Sequence, residues 1–310
     1  MNQLIGKIID SVGTVLLGKE QQVKLALTCL FASGHLLIED LPGMGKTTLA
    51  QCLAKVLGLD YERVQFTSDL LPADVLGVAI FDRETSQFRF HSGPIFTQVL
   101  LADEINRTTP KTQSALLEAM EERQVSIEGE TRPLPEPFFV IATQNPMSQA
   151  GTYPLPESQL DRFLMRISLG YPSAHAERQL YKGADPRERL KSLQAVVSAE
   201  QLLEIQAQVN QVKATDQLLD YVQRLVDFTR YSSNFSYGLS PRGAMALLKA
   251  AKSWALVNNR EFVVPEDIQL VLPSVVGHRV RGVHSHAASP APQQQSLTKY
   301  LIASVNVVES

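Results

Sequence analysis

One segment constrains this chain more than any other: Ile38-Glu39-Asp40-Leu41-Pro42-Gly43-Met44-Gly45-Lys46-Thr47-Thr48. It follows the apolar run His35-Leu36-Leu37-Ile38, which reads as a buried strand, and it opens residues 47–57, which read as a helix. Leu49, Leu53, Val56 and Leu57 share one helical face, and Gly58 stands where a helix would stop. Strand, glycine-rich loop and helix, in that order, are the setting of a phosphate-binding loop. The first helical turn carries amide N–H groups without intrahelical partners, and these point at an anion. Gly43 and Gly45 let the backbone curl without Cβ clashes, and Pro42, Met44 and Thr48 complete the loop. Lys46 brings a positive charge to the β/γ-phosphates, and Thr47 brings a hydroxyl that can ligate Mg²⁺. One residue departs from the usual pattern, because the expected glycine six positions before the lysine is Asp40. The Pro42-Gly43 pair keeps the turn chemistry, so the segment reads as a variant phosphate loop.

A second strand supports the first. Val99-Leu100-Leu101-Ala102-Asp103-Glu104 is an apolar run ending in two acids. An Asp at the carboxyl end of a parallel strand beside a phosphate loop can hold Mg²⁺, so Thr47 and Asp103 are the candidate metal residues. The adjacent Glu104 can orient and deprotonate a water. Alone, such a strand end is more often a solvated pair of acids; downstream of Lys46 it carries weight. Residues 138–143 form another apolar strand, and Gln144-Asn145-Pro146 delivers an amide at its end. Asn145 there can position the attacking water, although Asn-Pro is also an ordinary turn.

Candidate strands at 36–38, 64–67, 99–102, 138–143 and 164–169 are short and continuously apolar, as in a parallel sheet covered on both faces. Residues 3–33 read as helical with a break near Gly18. Two hairpins interrupt the alternation. Val78-Ala79-Ile80-Phe81 and Phe88-Arg89-Phe90 flank a polar turn, and Gln124-Val125-Ser126-Ile127 and Thr131-Arg132-Pro133-Leu134 flank Glu128-Gly129-Glu130. Phe88 and Phe90 are expected to be exposed on their projection. After Tyr171-Pro172 the strands stop. Ser198-Ala199-Glu200-Gln201 is a capping box, Ser240-Pro241 opens a helix through Val257, and Pro265 opens another. The expected architecture is α/β, with an αβα unit over 1–172 and a helical domain over 173–310. The hairpins fall at about 72–95 and 124–134. Residues 287–295 read as a flexible loop before a last helix.

Two arginines are singled out. Arg162 ends Pro156-Glu157-Ser158-Gln159-Leu160-Asp161-Arg162-Phe163; its plain reading is a surface ion pair, and its functional reading is a charge reaching a neighbouring subunit's nucleotide. Arg242 lies in the first turn of a helix, where a cation opposes the dipole; an anionic partner would relieve that conflict.

Bulk properties exclude other classes. The net charge of −3 gives no basic stripe, so no nucleic acid is expected. Cys29 and Cys52 have no metal-type spacing and read as inert core thiols. No run reaches the ~18 apolar residues of a membrane span. Lys7 and Asp10 break the only apolar stretch near Met1, so a cytoplasmic address is expected. His284 and His286 read as a solvated loop rather than a metal site.

The loop motif, Leu-Ala-Asp-Glu-Ile-Asn-Arg, Gln-Ser-Ala-Leu-Leu-Glu-Ala-Met-Glu-Glu-Arg-Gln-Val, Gln-Asn-Pro, Gly-Thr-Tyr-Pro-Leu-Pro-Glu-Ser-Gln-Leu-Asp-Arg-Phe and Ser-Pro-Arg together resemble the MoxR group of AAA+ ATPases over about residues 15–282. In that group Asp40 before the Pro-Gly pair is common. The resemblance implies a P-loop αβα domain with a five-stranded parallel sheet, an all-helical lid, ATP/ADP and Mg²⁺ as cofactors, and ring-shaped homo-oligomers, often hexamers. It assigns the first sensor to Asn145, the arginine finger to Arg162 and the second sensor to Arg242, with Arg107 as second choice for the trans arginine. It implies a helix-2 insert at the first hairpin and a pre-sensor hairpin at the second. The implied role is chaperone-like remodelling or metal-cofactor loading, often with a partner bearing a von Willebrand factor A domain. A magnesium-chelatase-like motor and a nucleotide-gated assembly switch with little turnover are the alternatives.

Overall fold

A computed structural model describes residues 2–146, 151–182, 186–283 and 291–308. Two helices open the chain, α1 (Asn2–Val15) and α2 (Glu20–Phe31), separated at Gly18 as expected. There follow β1 (His35–Glu39), α3 (Lys46–Val56), β2 (Tyr61–Gln65), α4 (Pro72–Leu76), β3 (Gly77–Asp82), β4 (Gln87–Ser92) and β5 (Val99–Asp103). A 3₁₀ turn, Ile105–Arg107, leads to α5 (Pro110–Glu122), β6 (Gln124–Ile127), β7 (Glu130–Pro133), β8 (Phe139–Gln144), α6 (Glu157–Leu160) and β9 (Phe163–Ile167).

Five of the strands form one parallel sheet in the order β2-β5-β8-β1-β9. β5, β8 and β1 are inside the sheet and almost wholly buried, which is why they read as unbroken apolar runs. The edge strand β2 is mostly exposed and carries Glu62, Arg63 and Gln65. It begins before the expected 64–67 because an edge strand with one solvated face lacks the apolar signal. Side chains of β1 alternate between two cores: Leu36 and Ile38 join a cluster with α1, α2, α3 and the later helices, whereas Leu37 joins the α5 side.

The hairpins form as read, β3 with β4 and β6 with β7. From Ala174 the chain is helical: α7 (Ala174–Tyr181), α8 (Pro186–Ser192), α9 (Ala199–Gln211), α10 (Asp216–Tyr231), α11 (Pro241–Val257), α12 (Pro265–Val276) and α13 (Ala291–Ser304). Ser198 and Gln201 make the reciprocal capping box of α9, and the Ser240 hydroxyl accepts from Gly243 N at 3.0 Å to cap α11. Among these helices the chain also forms a short antiparallel pair of β10 (Phe235–Tyr237) with β11 (Arg281–Gly282). Its two- and three-residue strands are too brief to leave a period in the sequence. The expected 287–295 loop needs correction as well. Residues 291–295 lie in α13, because Pro292 sits in a first turn, where proline is compatible with a helix. Residues 287–290, with His284 and His286, lie outside the described residues.

Two buried groups test the packing. Cys29 and Cys52 are buried free thiols whose pKa values burial raises, Cys52 to about 12, so neither supplies thiolate. His35 is wholly buried at the start of β1. Its Nδ1 accepts from Val140 N at 2.9 Å and its Nε2 faces Met120 O at 3.3 Å. Burial is the main cause that pushes its pKa down to about 4. A protonated Nδ1 would forfeit the Val140 bond. The folded pKa lies below the unfolded value near 6.5, so the folded state binds fewer protons and loses stability as pH falls from about 6.5 toward 4. Between pH 7.5 and 5.5, His35 is expected to account for about 1 kcal/mol of lost stability. Denaturant melts of the wild type and His35→Gln check this; the variant should show the shallower pH slope.

Candidate functional site

Because the sheet is parallel, its carboxyl strand ends share one edge, and the phosphate loop leaves β1 there. Gly43 and Gly45 have φ of +82° and +92°, left-handed values that favour glycine, and Gly45 is the N-cap of α3. A Cβ at Gly43 would meet nothing within 4 Å, so the loop bounds open space at the helix N-terminus. Lys46 donates to Asp40 O at 2.5 Å and Leu41 O at 3.0 Å, so its charge is held inside the curl of the loop. Burial lowers its pKa, opposed by Asp40, Asp103 and Glu104, the last two from the end of β5.

Asp40 is buried and is not a glycine substitute in conformation, since its φ is not positive. Its Oδ2 accepts from Gly170 N at 2.6 Å and from Ser168 Oγ at 3.1 Å, and its N–H donates to Gln144 O at 3.2 Å. The unusual residue therefore bolts the loop to the ends of β8 and β9. Lys19 acts on the same connection: its ammonium donates to the carbonyls of Leu169, Gly170 and Tyr171 at 2.7, 2.8 and 2.6 Å.

The acids lie two strands away. Asp103 ends β5 and is buried; its Oδ1 accepts from Thr143 Oγ1 at 2.5 Å, and its Oδ2 takes the fork of Arg63 at 2.7 and 3.2 Å. Glu104 has φ +58°, an uncommon value for a non-glycine residue that recurs where function holds the backbone. Its N–H donates to Thr143 Oγ1 at 2.9 Å, and its Oε2 accepts from Gln65 and pairs with Arg107, both at 3.0 Å. Asn145 follows β8, which lies between β1 and β5, and so stands between the phosphate loop and the acids. The Thr47 hydroxyl and Asp103 carboxylate are hard oxygen donors of the kind Mg²⁺ takes. Among the described residues no cluster of three or more His, Cys, Asp or Glu could hold a metal unaided, so phosphate oxygens and water would complete its shell.

Arg162 and Arg242 lie elsewhere. Arg162 immediately precedes β9, whose Phe163 pairs with His35 at the amino end of β1. The phosphate loop leaves the opposite end of that strand, about 13 Å away at ~3.3 Å per residue. Arg162 donates to Leu117 O at 2.5 Å and approaches Glu121 at 3.8 Å. Arg242 reaches the same Glu121 at 2.8 Å and Asp161 at 3.7 Å. The hydrogen bond to Glu121 is the chief cause that raises its pKa. The carboxylates thus offset the cation's conflict with the α11 dipole. Arg107 differs from both, being at the carboxyl edge beside its own chain's Glu104.

The β3–β4 hairpin exposes Val78, Ile80, Phe81 and Phe88. Phe88 is 65% exposed and meets Phe81 edge to face. Phe90 corrects the expectation of two exposed rings: it is half-buried, packs on Phe96, and lies under the Arg132 guanidinium at 4.1 Å. That contact joins the two hairpins, and pairing between separate projections leaves no trace in sequence spacing.

Sequence reasoning missed Lys19, Arg63, Gln65, Glu121 and Arg279. Gln65 and Arg63 could have been found by extending β2 toward its polar start, where strand alternation puts both on the face of Asp103. For Lys19, Glu121 and Arg279 no local signal exists, because their partners lie far along the chain.

Comparison with known proteins agrees with this geometry. Residues 35–165 match the profile of the ATPase family associated with various cellular activities, and residues 227–299 match an AAA lid domain. The chain is 43% identical to YeaC of Bacillus subtilis over 99% of its length and 96% of that protein. It is 41% identical to the chaperone MoxR1 of Mycobacterium tuberculosis, covering 88% of this chain and 74% of the relative. A crystal structure from Cytophaga hutchinsonii, of a protein provisionally designated an ATPase, superposes with a TM-score of 0.87 at 38% identity, covering 99% of this chain and 96% of that one. MoxR of Methylorubrum extorquens is 32% identical over 87% of this chain. With its parallel sheet, phosphate loop and helical lid, the chain belongs to the MoxR family of AAA ATPases.

Proposed function

We propose that this protein hydrolyses Mg-ATP at the interfaces of a homo-oligomeric ring, with residues 1–172 as the nucleotide unit and 173–310 as its lid. The observation that carries this reading is the separation of Arg162 from its own phosphate loop by the length of β1. An arginine at the amino edge can serve a phosphate only in another subunit, and a closed ring supplies that subunit to every site. Six subunits is the size the family resemblance suggests.

In this reading Lys46, Thr47, Thr48 and the amides of residues 43–48 cradle the phosphates, with Pro42 and Met44 shaping the turn. Lys46 exchanges its two carbonyl partners for β/γ-oxygens. A bound Mg²⁺, held by Thr47 and Asp103, would neutralise charge on the β- and γ-phosphoryl oxygens. Arg63 has to release Asp103 for this to happen. Glu104 takes a proton from a water positioned by Asn145 as the water oxygen attacks the γ-phosphorus and the bond to the ADP oxygen breaks. Arg162, with Arg242 beside it, stabilises charge on the neighbour's γ-phosphoryl group.

The work done is remodelling of a protein client, as the name of the Mycobacterium tuberculosis relative suggests for that protein. The client, or a von Willebrand factor A domain partner, meets the apolar tip of the β3–β4 hairpin. Metal-cofactor loading is one form such remodelling takes.

Three measurements test this. Lys46→Ala should abolish tight Mg-ATP binding, whereas Glu104→Gln should keep binding and lose about 10²-fold or more in kcat; normal affinity in the first or normal turnover in the second removes that residue from its role. Arg162→Ala should bind ATP normally and lose about 10³-fold in turnover. Mixed with Lys46→Ala subunits, it should regain part of the activity, because some interfaces then hold an intact pocket and an intact arginine. Mixed rings that stay inactive at every ratio would move the finger to Arg107 or end the inter-subunit reading. Finally, Phe88→Ser should leave melting temperature and basal turnover unchanged and weaken partner stimulation. Phe90→Ser should lower the melting temperature by several degrees, since Phe90 packs on Phe96 and Arg132.

A further inference from the structure

Arg279 follows α12 in the lid, yet its guanidinium is buried in the nucleotide unit, 5% exposed. Its Nε donates to Asp161 Oδ1 at 2.6 Å. One terminal nitrogen donates to Asp161 O at 3.0 Å and Phe163 O at 2.7 Å. The other donates to Leu164 O at 3.1 Å and to Val275 O in α12, and lies 2.8 Å from His278 Nε2. An arginine has five N–H donors, and these partners use all five. Three of the five residues contacted, Asp161, Phe163 and Leu164, flank Arg162 on both sides.

The stem of Arg279 lies beside the start of the other arginine's helix. A Cβ on Gly243 would lie 3.1 Å from Arg279 Cδ, and Gly243 directly follows Arg242 at the start of α11. Arg242 in turn reaches Asp161 at 3.7 Å, the carboxylate that Arg279 holds. One buried side chain of the lid therefore holds the backbone around Arg162, shares the Asp161 carboxylate with Arg242 and lies beside the turn that presents it. With its donors saturated, Arg279 has none left for a phosphate.

We propose that Arg279 is a positioning residue that transmits the lid's orientation to Arg162 and Arg242, so that one subunit's lid sets the trans arginines of the next site. This rests on the inter-subunit reading above. The chemistry requires arginine in particular. A lysine could keep the ion pair with Asp161, but its three N–H donors on one nitrogen cannot hold the carboxylate together with the four carbonyls that the guanidinium's five donors reach. A displacement of about 1 Å in a catalytic group costs about 10²-fold in rate.

The test uses the full chain carrying Arg279→Lys. The expected result is ATP affinity within about twofold of wild type and a fall in kcat of about 10²-fold. Mixing decides where the fault lies. An Arg279→Lys subunit keeps its own pocket and presents a misplaced Arg162, whereas a Lys46→Ala subunit has a dead pocket and a well-placed Arg162. If Arg279 acts through the trans arginines, the two restore activity together. If Arg279 instead supports its own pocket, neither partner offers a good pocket, and no activity returns; that result overturns the proposal, as does wild-type turnover of Arg279→Lys alone. Arg162→Ala mixed with Lys46→Ala is the control. Its failure to recover condemns the inter-subunit reading itself, whereas its recovery without recovery of Arg279→Lys condemns only the role of Arg279. If Arg279→Lys melts far below wild type, Asp161→Asn replaces it in the same mixtures. That variant removes the carboxylate while leaving the backbone carbonyls in place, and the same outcomes decide.

Discussion

The polarity of one parallel sheet governs the placement of every group considered above. β1 delivers the phosphate loop at its carboxyl end, β5 delivers Asp103 and Glu104 at the same edge, and β8 sets Asn145 between them. β9 runs parallel to β1, so the residue before it, Arg162, falls at the opposite edge. No side-chain rotation reverses that. An arginine side chain reaches several ångströms, and the strand between it and the loop spans about 13 Å at ~3.3 Å per residue. A single chain thus holds the loop and the acids on one edge and Arg162 on the other, which is the arrangement that the inter-subunit proposal rests on.

The charged groups at both edges of the sheet satisfy one another. Lys46 holds two loop carbonyls, Asp103 holds the Arg63 fork, Glu104 holds Gln65 and Arg107, and Glu121 gathers Arg162 and Arg242. A partly buried charge without a partner is unfavourable, so these pairings stabilise the fold. Most are only partly buried, so each is modest in energy, and the proposed function requires a nucleotide to displace several of them.

How much of this was legible follows from where each partner lies in the chain. The inner strands β1, β5 and β8 announce themselves because burial on both faces demands unbroken apolar runs, and Pro42–Thr48 announces itself because a phosphate cradle needs those residue types in sequence. Caps such as Ser240 are readable for the same reason: the acceptor and the N–H of Gly243 are three residues apart. Arg279 and Asp161 are far apart in sequence, and neither has a local pattern that implies the other. β2 was misplaced in its start because an edge strand need be apolar on one face only. Phe90 looked like Phe88 because alternation fixes which face a side chain takes, and not whether a second hairpin covers it.

Asp40 shows why a departure from a motif is better treated as information than as damage. A glycine there would give the loop freedom, whereas the loop's positive φ values fall at Gly43 and Gly45. The carboxylate instead receives Gly170 N and Ser168 Oγ, and Lys19 binds three successive carbonyls of 169–171. That tripeptide leads from β9 into the lid helices. The residue that begins the phosphate loop and the residue that begins α2 therefore hold the same few peptide units, and Asp40 O also accepts from Lys46. The lid's far end, through Arg279, grips the segment of Arg162. The helical domain is thus tied to the sheet at two buried points, Asp40 beside the phosphate loop and Arg279 beside Arg162.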